Sequence, residues 1–106
     1  MSLKPKFDYF RAEEVTSPKD FIKKVQKEYD GTPNGKDFSI ARLDWKGEEV
    51  YGIRWNRTMR EVNDPKKISG NKKCIGIPVS FARPVWFVLP KELNKAIKDF
   101  LNEQKQ

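Results

Sequence analysis

The chain contains no histidine and only one cysteine. Without histidine there is no Ser-His-Asp or Cys-His machinery, and one cysteine leaves no intramolecular disulfide and no His/Cys zinc site. No apolar run approaches the ~18 residues a membrane-spanning helix requires. Met1 to Phe10 lacks the hydrophobic stretch of a secretory signal, so the reading is cytoplasmic, with no membrane partner. Neither a Gly-rich phosphate loop nor a Walker lysine motif is present. Asn56-Arg57-Thr58 fits the glycosylation sequon, which is incidental in an unsecreted chain. Cys74, in an apolar stretch, reads as a small core residue rather than a reactive thiol.

What is present points to a folded, basic domain. The 106 residues suit one domain, 1–106. Aromatics make up 12% of the chain and fall inside patterned segments, whereas disordered chains are poor in them. Lys plus Arg number 22 against 15 Asp plus Glu, a formal net charge of +7. Such an excess invites an anionic partner but does not choose among nucleic acid, membrane surface and acidic protein.

The opening, Phe7 to Val15, has apolar residues without a clean period. Ser17 and Pro18 then resemble a helix cap and first position, and Phe21, Ile22, Val25 and Tyr29 recur at helical spacing up to Gly31. From Asp37 the period changes to two. Phe38 to Trp45 and Glu48 to Arg57 read as strands around a Lys46-Gly47 turn, which pairs Trp45 with Glu48 and Ser39 with Arg54. Lys72 to Val79 and Val85 to Leu89 read as the third and fourth strands. Pro90 opens a final helix striped by Leu93, Ile97, Phe100 and Leu101. The expected fold is α+β: an N-terminal helix, a curved four-stranded antiparallel sheet and a C-terminal helix. Its core is expected to hold Phe21, Val25, Phe38, Ile40, Ile53, Phe87, Leu89, Leu93, Ile97 and Phe100.

Function is sought on the other face and in the loop after the second strand. Arg54, Arg57, Arg60, Lys66, Lys67, Lys72 and Lys73 are seven cations against Glu61 and Asp64, a local excess of five. Such a segment attracts a phosphate chain and gains counterion release when the chain arrives. Alternation places Trp45 and Trp86 on one face with Arg54, where rings would stack bases without reading sequence. The expected site is therefore Trp45, Arg54, Arg57, Arg60, Lys66, Lys67, Lys72, Lys73 and Trp86. The expected partner is single-stranded DNA or RNA, with no cofactor, metal or catalytic residue.

Tyr51-Gly52-Ile53-Arg54-Trp55 resembles the second-strand pattern of the transcriptional positive-cofactor-four family, and Phe87-Val88-Leu89-Pro90-Lys91-Glu92-Leu93 is similar to that family's passage from last strand into long helix. The resemblance, over about Phe38 to Leu101, implies a strongly curved four-stranded sheet followed by a helix. It also implies a homodimer formed through that helix, and single-stranded DNA binding through Arg54 and the loop lysines. Two other readings stay open. Arg54, Arg57, Thr58 and Arg60 lie together as in a metal-independent ribonuclease of the small bacterial toxin kind, whereas Asp44 and Glu48-Glu49 read only as solvated turn acids. Tryptophans at a protein interface would instead make the chain an interaction module.

Overall fold

A computed structural model describes residues 7–105. Most of the stretch searched for a leader therefore lies outside the described residues. The centre of the fold is the hairpin of β2 (Phe38–Trp45) and β3 (Glu48–Trp55). Lys46 and Gly47 both take positive φ, 54° and 85°, the turn handedness that matches strand twist. Every expected pair forms: Trp45 with Glu48, Leu43 with Val50, Ala41 with Gly52 and Ser39 with Arg54.

The expected N-terminal helix is absent. Only a 3-10 turn, Ala12–Glu14, precedes β1 (Ile22–Asp30), which pairs antiparallel with β2. Two register shifts explain the helical spacing of its apolar residues. In a regular strand, Ile22 and Val25 would face opposite ways. The shift between Ile22 and Lys24 puts both against Trp45 and Leu43 on one face, and the shift between Lys27 and Tyr29 turns Tyr29 to the other. Bulges thus imitate the period of a helix.

The sheet has four antiparallel strands, as expected, but β1 takes the place of the third strand expected at Lys72–Val79. The order is β1-β2-β3-β6, with β6 (Phe87–Val88) pairing against Gly52 and Ile53. Between β3 and β6 the chain makes a short helix α1 (Pro65–Ile68) and a separate two-stranded ribbon, β4 (Val79–Ser80) with β5 (Arg83–Pro84). The stretch that had read as a strand joins its neighbours only through isolated bridges, Tyr9 to Cys74 and Trp55 to Ile77. Pro90 leads through a 3-10 turn into the C-terminal helix α2 (Asn94–Gln104).

Each face of the sheet carries a packed layer. On one, Ala12 and Val15 from the N-terminal segment pack with Ile22, Ala41, Leu43, Val50 and Trp86. The Trp86 indole Nε1 donates to the Val15 carbonyl at 2.6 Å, which seats the ring under that segment. On the other, Leu101, Ile97 and Phe100 of α2 pack with Ile40, Tyr51, Tyr29, Phe38 and Leu89. Phe21, Phe87 and Leu93, expected inside, are exposed instead. A polar knot closes the strand ends: Asn56 Nδ2 donates to Ser39, Thr32 and Asp30, and the Tyr9 hydroxyl donates to Asp30 at 2.7 Å. Burial, then the Asp30 carboxylate, push the Tyr9 hydroxyl up to about 12.

Candidate functional site

Alternation along β3 sends Arg54 to the face of Ala41, Leu43 and Trp86, and that face is not open. Arg54 is 3% exposed and Trp86 4%. The N-terminal segment covers Trp86, and the chain at Ile75, Pro78 and Val85 encloses the Arg54 guanidinium, so the surface expected to bind is occupied. The Arg54 guanidinium is spent on the chain itself. Nη1 donates to the Val85 carbonyl at 2.6 Å and the Pro78 carbonyl at 3.3 Å, and Nη2 donates to the Ile75 carbonyl. Burial pushes the guanidinium down to about 10, a shift that nearby Glu61 partly counters.

Glu61 does the complementary work. Its carboxylate accepts the N–H groups of Thr58, Ile75 and Gly76 and pairs with Lys67 at 3.4 Å. Burial alone would raise this carboxyl, but the three backbone donors and Lys67 hold it below its ordinary value. Between these two charged groups lies Gly76, with φ 71°, where a Cβ would meet the Trp55 carbonyl oxygen. A long segment with little regular structure is thus pinned by side-chain to backbone bonds from a buried arginine and a partly buried glutamate.

The expected cations divide accordingly. Arg57 holds Asp37 at 2.7 Å, Lys67 holds Glu61, and Lys73 reaches Glu14 at 3.2 Å. Arg60, Lys66 and Lys72 are exposed and have no ion-pair partner among the described residues. Arg83, on the ribbon, is exposed in the same way. Trp45 is half-buried at the β2–β3 turn, with Lys46 and Phe21 against its ring and a shallow hollow carrying Glu48, Lys91 and Glu92 beside it. The far end of the hairpin lies roughly 20 Å away at ~3.3 Å per residue.

That far end is where aromatic surface is open. Phe38, Ile53 and Trp55 share the α2 face of β2 and β3, and Phe87 stands opposite Ile53 on β6. With Arg54, Ile77 and Pro78 they line a cleft of about 570 Å³ whose walls are almost wholly apolar. Trp55 is 51% exposed and Phe87 59%, and α2 does not reach far enough to cover them. Two further hollows adjoin through Ile77. One carries Trp55, Arg57 and Met59, the other Arg60, Val79 and Ala82. Rings and cations do meet on one surface, but the rings are Trp55, outside the expected site, and Phe87, expected in the core. The one signal for them was position: both fall on the α2 face near strand ends.

Among the described residues, no group of three His, Cys, Asp or Glu is placed to hold a metal, and no helix is long and apolar enough to cross a membrane. No family model, curated protein or solved structure matches the chain.

Proposed function

We propose that the protein binds single-stranded nucleic acid at the Trp55–Phe87 cleft, without strict sequence preference. The observation that carries this is the pair of half-exposed rings on one sheet face, bordered by Arg57 and Arg60. Apolar walls give π-faces something to stack on and offer little to read a base edge, so every base is accepted. Arg60 and Arg83 take phosphates directly. Arg57 does so by exchanging Asp37, and Lys66 and Lys72 extend the field. Arg54, Trp86, Lys67 and Lys73 hold the surface in shape. The resemblance to the positive-cofactor-four family supports the same partner class, and within this proposal the chain works in the cytoplasm, as a homodimer.

Tryptophan fluorescence titrated with oligothymidylate tests the reading. Trp55→Ala and Phe87→Ala should each weaken binding about 5- to 150-fold, the span of 1–3 kcal/mol per stacked base. With about three phosphates contacted, the log–log salt slope should lie near −2. Wild-type affinity retained in both variants would refute the reading.

An interaction module has one specific observation in its favour: the cleft's walls carry almost no polar surface, as at the centre of a protein interface. Self-association abolished by Trp55→Ala and insensitive to salt, with no oligonucleotide affinity, would establish that reading instead.

A further inference from the structure

The β4–β5 ribbon ends in Phe81-Ala82, and Phe81 is 98% exposed. Both residues sit in the left-handed region, at φ 51° and 62°. Two-residue turns of this hand favour Asn-Gly, because a Cβ is disfavoured there and a bulky side chain more so. The tip therefore breaks two local rules at once, by showing a large apolar ring to water and by holding it on strained backbone. It is also braced. The Arg54 guanidinium grips the carbonyls of Pro78 and Val85, the two feet of the ribbon, and the Val85 N–H donates to the Pro78 carbonyl at 3.1 Å. Pro78 lies in the wall of the aromatic cleft, Arg83 stands on the stem, and Arg60 shares a hollow with Val79 and Ala82.

We infer that Phe81 is a fixed wedge that stacks on the terminal base pair of a duplex where it opens into the single strand held at Trp55 and Phe87. The inference rests on the single-strand reading above. Its partner is a single-to-double-strand junction, and the argument is one of shape and charge. A duplex end is the nucleic-acid surface that offers a flat, unstacked π-face to a lone ring, and Arg83 on the stem and Arg60 in the hollow with Val79 and Ala82 supply cations for nearby phosphates. A stem held at both feet keeps the ring pointed away from its own surface.

The test compares fluorescence anisotropy for oligothymidylate, the same tail joined to a hairpin duplex, and the blunt hairpin, using wild type, Phe81→Ser and the double variant Phe81→Asn/Ala82→Gly. The tailed duplex should bind wild type at least about fivefold more tightly than the tail alone, as one stacked base warrants. Both variants should lose that preference while keeping wild-type affinity for the tail. The double variant, whose turn residues suit the backbone, should also melt no lower than wild type, which separates loss of the wedge from loss of fold. Equal affinity for tail and tailed duplex, or a preference that survives in both variants, would overturn the wedge and leave the single-strand reading intact. No affinity for any oligonucleotide would sink both. Phe81-dependent binding to phosphatidylserine vesicles, with no junction preference, would assign the tip to a lipid surface instead.

Discussion

Replacing Arg54 with methionine separates a buried clamp from a surface phosphate ligand. Three carbonyls, those of Ile75, Pro78 and Val85, depend on one guanidinium. Hydrogen bonds from a charged group contribute about 1.5–3 kcal/mol each, so the three together favour the fold by roughly 5–9 kcal/mol. Against this stands the burial that lowers the guanidinium to about 10, roughly 3 kcal/mol against folding. The hydrogen bonds win by about 2–6 kcal/mol. Arg54→Met should therefore reduce unfolding free energy by around 3 kcal/mol, a large share of the 5–15 kcal/mol typical of such domains. Urea denaturation followed by tryptophan fluorescence measures it, and Tm should fall by roughly 15 °C. Arg60→Met, on exposed surface, is the control and should stay within about 0.5 kcal/mol of wild type. Arg54→Lys should recover little, because one ammonium does not span three carbonyls. An Arg54→Met variant as stable as the Arg60→Met control would refute the clamp.

The Glu61 carboxyl is held below its ordinary value in the fold, so its contribution is in place above pH 4.5 and is lost as pH falls through the folded value. Glu61→Gln should be less stable at neutral pH and show a flatter acid limb in urea midpoints; parallel limbs would contradict this. Trp86→Phe removes the donor to the Val15 carbonyl and should cost about 1–3 kcal/mol in the same assay. Gly76→Ala combines positive φ with a clash against the Trp55 carbonyl and should destabilise by more than ~1 kcal/mol, read as a fall in Tm.

How much of this was legible depended on which interactions build each part. The β2–β3 hairpin was readable to the residue, because strict alternation and Lys46-Gly47 both specify the register. The first strand was not, because two bulges give Ile22, Val25 and Tyr29 a spacing that mimics a helix. Alternation also sorted Trp86 and Arg54 correctly onto one face. Whether Trp86 met water turned on Ala12 and Val15, short apolar residues in a segment with no period at all. The excursion from Asn56 to Trp86 was least readable. Its shape comes from Arg54 and Glu61 binding backbone groups up to 31 residues away, and such bonds leave no periodic trace in the sequence.

The Arg54 grip on Val85 has a kinetic consequence. Hairpins joined by short turns close early, whereas a contact across 31 residues must first overcome the entropy of a large loop. The three-strand meander should form first and the aromatic surface last, and in the native state the reverse order governs opening. Amide hydrogens of Ile75, Gly76 and Ile77 should then exchange together, well before those of Ala41 and Leu43. A surface assembled on the last part to close is one that an occupant can stiffen, and slowed exchange at those three amides is where the stiffening would register.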